Sequence, residues 1–199
     1  FKKLNKNVFF LKNAISNEFI KASKKNYQKI PTELKYLKSP IFGYHGIFSD
    51  FKLDFKTYYQ LANKYKLSNF VFIGDEFELN KNLYFKKLKK LLNVHILNYK
   101  SYLDLPRYLK NIDYGLLLYK KNSYTQNMFP LKINELLACK TNVIISNIPS
   151  ANHFKNQIIM YKKTKDLKII TKPSKAKKFD LSKSSYSYLV NEIVRISNL

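Results

Sequence analysis

The feature that most constrains the fold is a recurrence: short apolar runs of strand length return along the chain, with helically spaced stretches between them. "PIFGYHG" (40–46), "NFVFIG" (69–74), "NVHIL" (93–97), "DYGLLLY" (113–119) and "NVIIS" (142–146) place apolar residues at neighbouring positions, not only at alternate ones. Runs that are apolar on both faces suit strands buried inside a parallel sheet. Between them, "DFKTYYQLANKYK", "NLYFKKLKKLL", "YLDLPRYLKN" and "PLKINELLACK" carry helical spacing. Strand and helix in alternation imply right-handed crossovers, so the expected fold is α/β, a Rossmann-like doubly wound parallel sheet. Such sheets bind ligands beyond the carboxyl ends of their strands.

The two ends differ from this core. "NVFFLK" (7–12) reads as a further strand, followed by a polar turn and a Lys-rich connection up to about Pro40. "QIIMY" (157–161) is a weaker strand, and "DLSKSSYSYLVNEIVRISNL" is a terminal amphipathic helix. The chain opens on Phe1 rather than methionine, so upstream sequence is expected.

With 45% hydrophobic and 16% aromatic residues, and only 4 glycines and 6 prolines, the composition excludes intrinsic disorder. The formal net charge of +24, from 37 Lys+Arg against 13 Asp+Glu, admits three explanations. One is a compositional bias, since lysine travels with abundant Asn, Ile, Tyr and Phe; the others are affinity for an anionic membrane surface or ligand, and nucleic-acid binding. Arginine, the residue suited to bidentate phosphate and base contacts, occurs only at Arg107 and Arg195, which makes nucleic acid the weakest of the three. The single cysteine, Cys139, excludes an internal disulfide, fits a reducing compartment and reads as a small packing residue. No apolar run approaches the roughly 18 residues of a membrane span and no signal peptide opens the chain, so a cytoplasmic location is expected. His45, His95 and His153 lack metal-ligand spacing, no metal site is expected, and no catalytic triad is discernible. His45 could approach a phosphate beside Gly46 or simply end a strand.

The segment with most chemistry is "FPLKINELLACKTNVIIS", Phe129 to Ser146. Proline is favoured at the first helical position, so a helix is expected from Phe129 or Pro130. Its free amides and positive dipole end would stand beside the loop "NSYTQNM", where an anion fits. Lys132 and Glu135, three apart, share one face. They either form a surface ion pair or leave Glu135 to accept hydrogen bonds from ligand hydroxyls.

The ordered succession "YHGIFSDFKLDF", "FVFIGDE", "NVHILNYKSYLDLPRYLKNIDYGLLLY" and "FPLKINELLACKTNVIIS" resembles the C-terminal, donor-binding domain of two-domain GT-B glycosyltransferases of the glycosyl transferases group 1 superfamily. The resemblance covers about residues 8 to 198 and includes "NAISNEF", which is similar to the family's crossover. It implies a C-terminal half of a GT-B fold, divided as 1–20 (end of a missing N-terminal domain and crossover), 21–182 (nucleotide-sugar-binding domain) and 183–199 (a helix packing back on the missing domain). It also implies transfer of a sugar from a nucleotide diphosphate sugar to an acceptor hydroxyl, without a cofactor, in cell-surface polysaccharide or glycolipid synthesis. The partners implied are that donor, a carbohydrate or lipid-linked acceptor, and an anionic inner membrane surface.

By the same resemblance Glu135 holds the ribose. Gly46 takes the place of the family's glycine after the first strand and Lys52 that of a diphosphate-binding lysine, while the usual arginine is Ile47. Phosphate charge would rest on Lys52, Lys132 and the amides near Asn127 and Met128. Asn98 and Tyr99 lie in the segment similar to the base-recognition loop. Asn127 stands where relatives place a glutamate on the donor sugar, so the sugar is open, and no catalytic base can be named. The helix-to-strand turn at "ACKTNV" lacks the family's glycine, and Asn142 is expected to help make it. Two other functions remain open: a nucleotide-sugar epimerase of similar architecture, and a non-catalytic basic module for nucleic acid.

Overall fold

The structure is a computed structural model of the 199-residue chain and describes residues 5, 7–79, 81–162 and 179–197. In chain order its elements are α1 (Asn17–Lys24), β1 (Ile41–His45), β2 (Phe48–Ser49), α2 (Phe55–Lys64), β3 (Asn69–Ile73), β4 (Glu76–Phe77), α3 (Leu83–Leu88), β5 (Val94–Leu97), α4 (Leu105–Leu109), β6 (Tyr114–Leu117), α5 (Ser123–Asn127), α6 (Lys132–Ala138), β7 (Asn142–Ser146), β8 (Ile159–Tyr161) and α7 (Tyr186–Ser197). Among the described residues six strands form the main sheet, in the order β5-β3-β1-β6-β7-β8, and every pairing in it is parallel. Counted along the chain within that sheet the order is 3-2-1-4-5-6, the doubly wound arrangement in which strand order reverses between β1 and β6.

The strands form where the continuous apolar runs lie. β1 and β6 are buried along their whole length, as central strands with both faces covered must be. Asp113 ties their starts together: its Oδ2 accepts from the Ile41 amide at 2.7 Å, its own amide donates to the Ile41 carbonyl, and its carbonyl accepts from the Asn142 amide at 3.3 Å. The covering helices start on side-chain caps. Asp54 accepts from the Thr57 amide at 3.1 Å and Asn82 from the Phe85 amide at 2.7 Å, each satisfying a donor that a helix start leaves unpaired. α2 then turns Phe55, Tyr58, Leu61 and Ala62 inward, where Tyr58 packs against Tyr44 and Phe72 of the sheet. The Tyr58 hydroxyl donates to the Leu116 carbonyl at 2.6 Å.

The N-terminal segment departs from expectation. Residues 8–14 form no strand, and the stretch expected to be a polar turn and connection contains α1. The polar residues there are a cap and an exposed helix face: the Ser16 side chain accepts from the Phe19 amide at 3.0 Å, and Phe19, Ile20 and Ala22 are buried. An apolar run becomes a strand only beside a sheet edge with free donors and acceptors. This one instead runs across the start of α6, where the Asn13 amide group donates to the Phe129 carbonyl at 3.0 Å and Phe10 stacks on His153. The expected boundary at residue 20 falls within α1, and Ile15 bridges Ser185 just before α7.

The sequence also did not reveal the small parallel pair β2 and β4, or α5, which was expected as loop. α7 buries none of its residues, and Tyr186, Val190, Ile193 and Val194 stand exposed. Among the described residues no helix is long and apolar enough to cross a membrane.

Candidate functional site

At the strand-order reversal, the carboxyl ends of β1 and β3 and the start of α6 enclose a cleft. β1 ends at His45, and Gly46 follows with φ +108; its amide donates to the Ile73 carbonyl at 2.8 Å. Across β1, Gly74 has φ +142, and a Cβ built on it would lie 2.3 Å from the Gly46 carbonyl oxygen. The two backbones approach as closely as they do because Gly74 carries no side chain. A Cβ on Gly46 would meet Lys132 Cε at 2.5 Å, so the Lys132 ammonium arm lies directly over this glycine.

Glu135 lines the same cleft and is 6% exposed. Its partner is His45, itself 3% exposed, whose Nε2 lies 2.7 Å from Glu135 Oε2. The surface ion pair between Lys132 and Glu135 is therefore not formed: among the described residues Glu135 pairs with His45. Lys132 does not pair because its arm turns towards Gly46. Burial pushes the Glu135 carboxyl up, but the His45 hydrogen bond, the Lys132 charge and the Tyr102 hydroxyl outweigh it and hold the group below the usual carboxylate range. Burial holds the His45 imidazole below its ordinary value despite the carboxylate beside it. Both directions favour a neutral imidazole beside an ionised carboxylate.

Burial also lowers the Lys132 ammonium, with Glu135 opposing. Lys52 is lowered by burial and by the nearby Lys132 charge. Two cations near enough to repel each other favour an anion beside them.

The site residues expected from sequence divide into two groups. Gly46, Lys132, Glu135 and Tyr99 line the cleft, Tyr99 at its exposed rim, whereas Lys52 does not line it and only comes near enough to Lys132 for their charges to interact. Asn98, Asn127 and Met128 do not line it. Asn98 is exposed at the end of β5. Asn127 is the last residue of α5, exposed, with its side-chain amide on the Ser123 carbonyl at 2.7 Å. The Met128 amide, expected to face a phosphate, donates to the Tyr124 carbonyl at 2.9 Å. The reason is that Asn122 and Thr125 form a capping box, which folds the expected loop into α5 and consumes that amide.

α6 itself begins at Lys132, two residues later than the proline suggested, with the Ile133 amide on the Pro130 carbonyl. At its far end Lys140, not Asn142, makes the turn: it adopts φ 61, its amide donates to Leu137, and the Thr141 amide reaches back to Leu136. That is the hydrogen-bond pattern of a Schellman cap. Asn142 instead begins β7 with its side chain on the Asp113 carbonyl.

Sequence reasoning overlooked Tyr102 and Gly74 and underrated His45. The signal for His45 was present: a titratable residue closes an otherwise apolar central strand. Cys139 is buried, and its surroundings push the thiol up, consistent with packing. Among the described residues no cluster of His, Cys, Asp or Glu could hold a metal ion.

Fold and cleft together define a Rossmann-like domain with a cleft at the strand-order reversal. No protein-family profile matches the chain. TuaH of Bacillus subtilis (strain 168), named for glycosyl transfer in teichuronic acid biosynthesis, is 34% identical over 101 residues, covering 51% of this chain and 25% of TuaH. Among solved structures, HepE of Anabaena in complex with UDP-glucose superposes with a TM-score of 0.65 at 15% identity, covering 94% of this chain and 56% of HepE. The apo lipopolysaccharide outer core galactosyltransferase WaaB gives 0.63 at 16% identity, over 94% of this chain and 55% of WaaB. The C-terminal domain of the glycosyl transferase group 1 protein LpcC of Francisella tularensis gives 0.55 at 12% identity, over 77% of this chain and 83% of that domain. The chain spans about a quarter of TuaH and about half of HepE and WaaB. The chain shares its fold with these solved structures, a C-terminal domain of a group 1 glycosyl transferase among them.

Proposed function

We propose that this chain is the donor-binding half of a glycosyltransferase that moves a sugar from a nucleotide diphosphate sugar to an acceptor hydroxyl. The observation that carries this reading is Glu135, a buried carboxylate in the wall of a cleft at the strand-order reversal, with Lys132 in the same wall. A carboxylate there accepts hydrogen bonds from ribose hydroxyls. Lys132 over the Gly46 backbone, with the Lys52 charge near it, would neutralise a diphosphate without calling on a metal or another cofactor. The HepE complexes with UDP and UDP-glucose support a uridine nucleotide as the ligand.

In the reaction, the bond from the anomeric carbon to the diphosphate breaks and a bond to the acceptor oxygen forms. The acceptor's proton passes to a group outside this chain, in a preceding N-terminal domain. Lys132 and Lys52 stabilise the departing diphosphate as its charge grows. On this reading α7 turns its exposed Val190, Ile193 and Val194 towards that domain. The acceptor is a carbohydrate or a lipid-linked sugar of the cell surface, in keeping with the names of TuaH and WaaB. The net charge of +24 draws the protein to the anionic inner face of the membrane.

The test is calorimetric titration of UDP and GDP into the wild-type chain and Glu135→Ala. One nucleotide should bind, and the variant should lose about 1–3 kcal/mol, the worth of a hydrogen bond to a charged group. Binding of neither nucleotide, with salt-sensitive retention of RNA instead, would overturn the proposal in favour of a nucleic-acid module.

A further inference from the structure

Glu135 needs more than a place in the cleft to read a ribose. A glutamate has three side-chain torsions, and a carboxylate free to rotate gives up part of its binding energy in being ordered. We propose that His45 is the positioning residue for Glu135: its Nε2–H holds Oε2, so that Oε1 is presented to the ribose hydroxyls. This rests on the donor-site reading above.

Three observations carry the assignment. The first is geometric: Nε2 stands 2.7 Å from Oε2, between two side chains that are both almost fully buried. The bond joins the last residue of β1 to the first turn of α6, and so spans the point where the strand order reverses. The second is the tautomer. His45 Nδ1 is buried with no hydrogen-bond partner, so a proton there would bury an unpaired N–H, whereas a bare lone pair costs less. The proton therefore sits on Nε2 and is directed at Glu135. The third is the location of both side chains in the wall of the cleft, with the Tyr102 hydroxyl facing the same carboxylate. A pair serving packing alone would be replaced by apolar residues at little loss. A pair in the cleft wall leaves one carboxylate oxygen for a ligand.

The test compares UDP with 2′,3′-dideoxy-UDP by calorimetry, because only the hydroxyl-dependent part of binding passes through Glu135. Wild type should prefer UDP by about 10-fold or more, as one or two hydrogen bonds to a charged acceptor provide. His45→Phe should bring the two ligands close to equal. His45→Gln, which can place an N–H near the position of Nε2, should restore most of the preference. Should His45→Phe fail to fold, His45→Asn, whose amide is too short to reach Oε2, carries the same expectation. If His45→Phe or His45→Asn keeps the full preference while Glu135→Ala loses it, the positioning role is overturned and the donor site stands. If wild type binds neither nucleotide, the donor-site reading fails and takes this one with it.

Discussion

Replacing Gly74 with alanine should damage the fold far more than the same change at Gly46, although the two residues touch. A Cβ on Gly74 would stand 2.3 Å from the Gly46 carbonyl oxygen and 2.8 Å from its carbon, both backbone atoms. Reaching ordinary contact distance means that the two backbones separate by about 1 Å. The bonds at risk are Gly46 N–H to Ile73 at 2.8 Å and Gly74 N–H to Leu97 at 2.9 Å, each worth about 1 kcal/mol net. Holding alanine at φ +142 adds about 1–2 kcal/mol. The expected loss is about 3–4 kcal/mol, a large share of the stability of a typical domain. In a urea titration with a slope of about 2–3 kcal/mol per molar, the midpoint should fall by about 1–2 M. At Gly46 the added methyl meets only the flexible end of Lys132, so Gly46→Ala should cost about 1–2 kcal/mol from φ alone, while displacing the ammonium and weakening nucleotide binding. Equal midpoint shifts for the two variants, or a wild-type midpoint for Gly74→Ala, would refute the backbone-contact argument.

Lys140→Gly should stabilise the protein by about 0.5–1 kcal/mol, read as a raised urea midpoint, because Lys140 holds φ 61 where glycine suffers no Cβ clash. Stability should fall as pH drops below the ordinary histidine value of 6.5. There the unfolded chain takes up a proton at His45 that the folded chain, its imidazole lowered by burial, does not. The slope approaches about 1.4 kcal/mol per pH unit for that one proton, and His45→Gln should remove this share of it. Asn93→Ala should cost about 1–3 kcal/mol and speed amide exchange across residues 65–69, since its side chain donates to the carbonyls of Ala62, Tyr65 and Ser68 at 3.1, 3.2 and 2.9 Å.

The sheet was legible because its strands are central. A strand buried on both faces has to be apolar at successive positions, and β1, β3, β6 and β7 carry that demand openly in their sequences. The N-terminal run at 7–12 met the same criterion yet found no sheet edge, and local composition holds no information about edges. α1 went unseen for the opposite reason: its cap and lysine-rich face look like a connection until the packing of Phe19 and Ile20 shows which side is inward.

The site divides along the same line. Glu135 and Lys132 could be placed on one helix face, since helical spacing is a local property. Nothing local placed His45 beside Glu135, which lies 90 residues further along the chain. Nor did it show that Met128 would spend its amide on Tyr124. The sequence by itself determined the alternation of strand and helix, the parallel sheet and the helix that carries the carboxylate, because periodicity and burial are written residue by residue. Only the tertiary structure decided which charges meet. The crossovers bring β1 next to β6, and in a dry cleft a carboxylate takes whichever donor the packing supplies.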